Sequence, residues 1–296
     1  MIQIESVEKY YGDFRALGGV SLTVNDGSIF GFIGSNGSGK STLLRVMAGI
    51  FKAERGRVLI DGENVYENTA AKKRIIYISD DQYVLPSSTA ADVRTFYKGM
   101  YPSFNTAKFD ELLSRFSLDS KRQVSGYSKG MKKQLDIICA IACKPDYVYC
   151  DETFDGLDPM ARVEVKKLLA AESAERGMTA IIASHNLREI EDICDGVVLL
   201  HKGQIVISNN IDDIRTELVK IQAVFKEEKT REDFRELNVV NFSKNGSVYT
   251  IFARSDGFFA DKVIGSMSPV FYELIPLTLE EVFITEMEAK GYGFAE

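Results

Sequence analysis

The stretch Gly34-Ser35-Asn36-Gly37-Ser38-Gly39-Lys40-Ser41-Thr42 constrains this chain more than any other. It matches G-x-x-x-x-G-K-[ST], a loop whose backbone amides converge on phosphate. Such a loop needs a strand before it and a helix after it. Ile29-Phe30-Gly31-Phe32-Ile33 is a short apolar run of the kind buried strands have. Leu43, Leu44, Val46, Met47 and Ile50 then continue as a helix with one apolar face. Loop amides and helix N-terminus aim donors at one spot, and glycine is required where a side chain would block that approach. Lys40 adds a point charge for outer phosphates, and the Ser41 hydroxyl is placed to ligand Mg²⁺. Ser35, Asn36, Gly37, Ser38, Gly39 and Thr42 complete the cradle. In this context the pattern predicts a nucleotide site and not a Gly/Ser-rich surface turn.

Around this loop the chain alternates strand and helix patterns. Residues 2–8 and 20–24 read as strands, with a turn near Gly12-Asp13 and Gly18-Gly19. Strands follow at 56–60 and 74–79, then helical periodicity from Thr89 to Leu118, broken at Tyr101-Pro102. Ser128 opens a helix with Met131, Leu135, Ile138 and Ala142 on its buried face. Tyr147 to Cys150 is an apolar strand, and Asp158-Pro159 reads as an N-cap with proline at the first helical position. A strand at 179–184, a helix at 187–194 and a strand pair around Lys202-Gly203 complete a mostly parallel α/β sheet.

Near Ser208 to Asp213 the pattern changes. Val219, Ile221, Ala223 and Phe225 alternate, 231–237 reads as a short helix, and Asn245-Gly246 joins two alternating runs as a hairpin. A helix at 258–264 and an extended run at 270–275 follow. Thr278 with Glu281 forms a capping box for a last helix to Lys290. This order divides the chain into 1–208 and a small α+β accessory domain, 209–296, with a ferredoxin-like order of elements.

With 296 residues and a formal charge of −7, the chain is large enough for a substantial core and has no basic bias toward nucleic acid. No signal pattern and no apolar run long enough for a membrane span is visible, so a cytosolic setting is expected. Cys139, Cys143, Cys150 and Cys194 lie inside apolar runs and read as reduced core residues, not metal ligands.

Tyr147-Val148-Tyr149-Cys150-Asp151-Glu152 is an apolar strand that ends in two acids. Beside a phosphate loop, Asp151 is placed to hold Mg²⁺ opposite Ser41. Glu152 is placed to orient and deprotonate a water attacking the γ-phosphate.

The order of these motifs resembles the ATP-binding subunits of ABC transporters, over roughly residues 1–208. The resemblance implies a P-loop NTPase fold of the ABC ATPase type: a mostly parallel sheet, an antiparallel β subdomain and a helical subdomain. It implies ATP and Mg²⁺ as ligands. Tyr11 fits the aromatic platform that stacks on adenine, with Tyr10 as its rival. Tyr127-Ser128-Lys129-Gly130-Met131 falls at the signature motif, where Ser128 and Gly130 would face the γ-phosphate bound by a second subunit. Asp155-Gly156-Leu157-Asp158 resembles the D-loop, and His185 fits the switch histidine at the γ-phosphate. The implied partners are a second ATP-binding subunit, as homodimer or heterodimer, and a transmembrane permease subunit on a separate chain. The protein would lie peripherally on the cytoplasmic face of the membrane.

Lys129 and Met131 replace the first glycine and the glutamine of the signature, and Thr153-Phe154 stands where Pro-Thr is usual. The Q-loop position, aligned without gaps, is Asp80, which offers a charged oxygen to Mg²⁺; Gln82 would fill the role if the loop is shifted. These departures are most similar to exporter-type subunits. The competing function is a soluble ABC-type ATPase that acts as an assembly factor or regulator without a transport partner.

Overall fold

Apolar runs that lack alternation need cover on both faces, whereas alternating runs need it on one. Both kinds occur here, and they sort into different sheets. The computed structural model describes residues 1–80, 87–210 and 218–289. Gln82 therefore lies outside the described residues, as does the expected helix end at Lys290. The chain divides into two compact units, Met1–Ser208 and Asn209–Glu296.

The first unit runs β1 (Ile2–Tyr11), β2 (Phe14–Val24), β3 (Ile29–Ile33), α1 (Lys40–Met47), β4 (Arg55–Ile60), β5 (Glu63–Asn64), α2 (Thr69–Lys72) and β6 (Ile75–Ile78). It continues with α3 (Ala90–Met100), α4 (Thr106–Arg115), α5 (Lys129–Ala142), β7 (Tyr147–Asp151), α6 (Pro159–Arg176), β8 (Thr179–Ser184), α7 (Leu187–Glu191), β9 (Gly196–His201) and β10 (Gln204–Asn210). One sheet has the order β10-β9-β3-β8-β7-β6, and β9, β3, β8, β7 and β6 are parallel. β3, β7 and β8 are buried along their whole lengths, which is why their sequences are unbroken apolar runs. A second sheet, β2-β1-β4-β5, is antiparallel. One core cluster joins Ile2, Ile4 and Val58 of this sheet to Phe32, Leu43, Met47 and Tyr149 around the parallel one.

The helices end where local chemistry requires. α1 stops at Met47 because Gly49 turns left-handed at φ 66°, so Ile50 lies beyond the helix and is exposed, not part of its apolar face. Tyr101, held extended before Pro102, separates α3 from α4. α4 buries Phe109, Leu112 and Leu113, and α5 buries Leu135, Ile138 and Ala142.

Two local expectations are corrected. Gly18 and Gly19 do not form a turn; they lie inside β2, opposite irregular register in β1. Gly18 instead permits close approach to the β9–β10 hairpin, its amide donating to the Gly203 carbonyl at 2.7 Å. The helix at 187–194 ends at Glu191, because Asp195 ties the chain to Ile29 through both its amide and its carboxylate before β9 begins.

The second unit comprises β11 (Leu218–Val224), a 3₁₀ turn at Arg231–Phe234, β12 (Asn238–Asn245), β13 (Val248–Arg254), α8 (Gly257–Ser266), β14 (Phe271–Ile275) and α9 (Leu279–Ala289). Its antiparallel sheet has the order β12-β13-β11-β14. The inward residues Ile221, Ala223, Ile251 and Ala253 pack with Phe234, Ala260 and Ile264. The expected helix at 231–237 is only that 3₁₀ turn, since Phe234 is already buried and β12 must start at Asn238. The Thr278 hydroxyl accepts from the Glu281 amide at 3.2 Å and the Glu281 carboxylate accepts from the Thr278 amide at 3.1 Å, which is the capping box of α9. Among the described residues, no helix is long and apolar enough to cross a membrane.

Asp136, on α5 of the first unit, is a partly buried acid. Burial pushes its carboxyl up to about 7, and Lys133 offsets that only in part. Its folded value lies above its unfolded one, so the penalty is absent below about pH 4 and develops as pH rises toward 7. Asp136→Asn is expected to match the native protein near pH 4 and to exceed its stability at pH 8 by on the order of 2–4 kcal/mol. Urea unfolding at the two pH values checks this. Because no phosphate-loop or acidic-strand residue lies past Ser208, a chain ending at Asn210 is expected to unfold cooperatively on heating and to keep whatever chemistry those residues carry, as calorimetry and a nucleotide assay would check.

Candidate active site

Three adjoining parallel strands bring the predicted residues to one edge of the sheet. The glycine loop follows β3, Glu152 follows β7 and His185 follows β8, all at C-terminal strand ends, where open α/β sheets bind ligands. Ser35, Asn36 and Gly37 are exposed, whereas Ser38 and Lys40 are buried. Gly39, the N-cap of α1, has φ 108°, and a Cβ there would lie 2.9 Å from the Ala16 carbonyl oxygen. Only glycine fits that close, left-handed passage.

The Lys40 ammonium turns back onto the loop, donating to the carbonyls of Gly34 at 2.6 Å and Ser35 at 3.3 Å. Its Nζ lies 3.6 Å from Glu152 Oε1. Burial pushes Lys40 below its ordinary pKa, and Glu152 and Asp151 counter this only in part. A desolvated ammonium beside exposed loop amides is matched to an anionic ligand.

Asp151 has no exposed surface. Its carboxylate accepts from Ser41 Oγ at 2.8 Å and from Tyr77 OH at 2.8 Å. Arg45 Nε in turn donates to the Tyr77 oxygen at 3.3 Å. Burial, with the Asp151 charge, raises the Tyr77 phenol to about 12, so it stays a donor. Tyr77 and Arg45 were not among the residues singled out from sequence, since a tyrosine in an apolar strand reads as core.

Ser41 and Asp151 supply hard oxygens side by side, a donor set that fits Mg²⁺. Among the described residues there is no cluster of three or more His, Cys, Asp or Glu suited to a metal. A bound ion would be held by the Ser41 hydroxyl and the Asp151 carboxylate, with phosphate oxygens of the ligand beside them.

Glu152 adopts φ 47°, a left-handed conformation uncommon for its type. Its amide donates to the Ala183 carbonyl at 3.0 Å, and its Oε2 lies 2.8 Å from His185 Nδ1. His185 is 56% exposed, so its ring faces solvent while its Nδ1 meets the acid.

The remaining candidates are positioned as follows. Tyr11 ends β1, 45% exposed, with its hydroxyl 3.4 Å from Thr42 Oγ1 and its ring edge-on to Phe51. Tyr10 turns instead to Glu8. Ser128 caps α5, its Oγ accepting from the Met131 amide at 3.2 Å. Gly130 packs so closely on the following D-loop that a Cβ would sit 2.6 Å from the Gly156 carbonyl oxygen. Lys129 pairs with Asp155 at 2.7 Å. Asp80 directs its carboxylate to Lys133 at 2.9 Å, a contact with α5 that sequence reading did not anticipate. All four cysteines are buried and free.

Comparison with known proteins gives the family and the fold. The family described as ABC transporter matches residues 17–155. The ABC transporter ATP-binding protein YtrB of Bacillus subtilis is 30% identical over 98% of this chain and 99% of its own. The lipopolysaccharide export system ATP-binding protein LptB of Haemophilus influenzae is 27% identical over 73% of this chain and 93% of its own. A solved ATP-binding subunit of an ABC transporter superposes with a TM-score of 0.67 at 26% identity, covering 73% of this chain and 92% of that one. Fold and site define a P-loop nucleotide hydrolase. The chain belongs to the ABC transporter ATP-binding proteins, and it is an ATPase.

Tyr77→Phe removes one donor from a fully buried carboxylate. It is expected to cost about 1–3 kcal/mol of stability, read as a lower urea midpoint at unchanged slope.

Proposed function

We propose that this chain is the ATP-hydrolysing subunit of an exporter, closing with a second ATP-binding subunit to drive a transmembrane permease on a separate chain. The observation that carries the hydrolytic reading is the meeting of Lys40, Glu152 and His185 beside the Ser41–Asp151 pair. In this reading the amides of 35–42 and Lys40 bind the phosphates, Tyr11 stacks on adenine, and Ser41 and Asp151 hold Mg²⁺. The bound ion neutralises charge on the phosphate oxygens. Glu152 accepts the proton of the attacking water. His185, hydrogen-bonded to that carboxylate, keeps it aimed and reaches the γ-phosphate with its exposed ring.

The dimer reading is supported by the signature segment, where exposed Ser128 opens a helix whose N-terminal dipole would favour a second subunit's phosphate. Phe96 and Met100, one turn apart on α3 and both exposed, offer an apolar surface for the permease. The export direction is supported by LptB's printed role and the exporter-like motif departures. We assign the 209–296 domain a regulatory or dimer-stabilising role.

Glu152→Gln keeps the size of the side chain but replaces the carboxylate with a neutral amide and so loses the base. ATP binding is expected to persist while hydrolysis falls by about two orders of magnitude or more. With ATP, this variant should elute at twice the monomer mass, as scattering-coupled chromatography would register. Monomer at saturating ATP would refute sandwich closure by this subunit alone.

A further inference from the structure

Lys133 lies on α5, within two turns of the signature serine, and its side chain is 0% exposed. A buried ammonium must find acceptors. Lys133 Nζ donates to the backbone carbonyl of Glu152 and to Asp80 Oδ1, the latter at 2.9 Å. The Glu152 carbonyl also accepts from the Asp155 amide at 3.2 Å, at the start of the D-loop turn. One ammonium therefore ties α5 and the end of β6 to the residue that carries the acid.

Glu152 needs such support. Its left-handed φ of 47° persists only if the surroundings over-determine it. Its amide is held by Ala183 of β8, and its carbonyl by Lys133 and Asp155. Rotation of that peptide would swing the carboxylate away from His185 and Lys40. Asp80 is 46% exposed, so its carboxylate meets water while Oδ1 anchors the buried ammonium.

We propose that Lys133 is a positioning residue for hydrolysis: anchored by Asp80, it holds the Glu152 peptide in the conformation that aims the carboxylate. Asp80 then acts through Lys133 and not as a Mg²⁺ ligand. Because α5 starts at the signature motif, any shift of α5 against β6 and β7 is passed directly to the acid. This rests on Glu152 being the base.

The test is steady-state ATPase kinetics of the full chain with the Lys133→Met, Lys133→Gln, Asp80→Ala and Asp80→Ala/Lys133→Met variants, with Glu152→Gln in parallel. Lys133→Met is expected to lower kcat about tenfold or more, with KM for ATP and the Mg²⁺ half-saturation changed less than about twofold. Lys133→Gln, which keeps a donor, should fall between. Asp80→Ala should lower kcat in the native background and cost nothing further beside Lys133→Met, since both act through one contact. If Lys133→Met does not fold, folded Lys133→Gln is read instead: kcat below native with KM for ATP unchanged supports the proposal, and native kcat overturns it.

Native kcat in folded Lys133→Met, when Glu152→Gln is inert, would overturn the proposal and leave the base assignment standing. Normal turnover by Glu152→Gln would remove the base assignment itself, and the proposal with it. An Asp80→Ala cost that adds to that of Lys133→Met and raises the Mg²⁺ half-saturation would overturn the proposal and return Asp80 to the metal.

Discussion

A carboxylate with no exposed surface, Asp151, sets the terms for the rest of the site. A charge so placed is strongly unfavourable unless donors are fixed around it. Ser41 supplies one donor from the start of α1 and Tyr77 another from β6, so satisfying the charge also registers the phosphate loop against the acidic strand. Stability and positioning come from the same two hydrogen bonds. Weakening them would loosen Lys40 and Glu152 together, because the loop and the strand end would no longer share an anchor.

The charges around this anchor favour an anionic ligand. Lys40 is desolvated and partly neutralised by Glu152 and Asp151, and it rests on carbonyls that make weaker partners than phosphate oxygens. Polyphosphate offers the ammonium the counter-charge the protein supplies only incompletely. Glu152, freed from Lys40, would still be held by His185 at one carboxylate oxygen and by the backbone at its peptide. The Glu152 side chain would thus keep its orientation if the lysine changed partner.

The two units follow different physical rules. In the first, fully buried parallel strands carry the candidate site residues at their ends. In the second, antiparallel strands alternate, and small residues such as Ala223, Ala253 and Ala260 let the sheet and α8 pack. The 30% identity with YtrB spans 98% of the chain, and so runs through both units.

Much of this protein was legible in residue order alone. Gly34 to Thr42, the strand ending in Asp151-Glu152, Ser128 as an N-cap and the Asn245-Gly246 hairpin are local patterns, and local patterns survive in sequence because neighbouring residues create them. Gly18-Gly19 misled for the complementary reason: glycine signals turns, but here it serves contact with a hairpin distant in the chain. The tertiary structure decided what depends on such distant neighbours. A tyrosine in an apolar strand became a donor to Asp151, Tyr11 and not Tyr10 came beside Thr42, and a lysine within a basic run was drawn fully inside to bridge Asp80 and Glu152. Burial and partner choice are properties of the packed chain, and no spacing rule along the sequence encodes them.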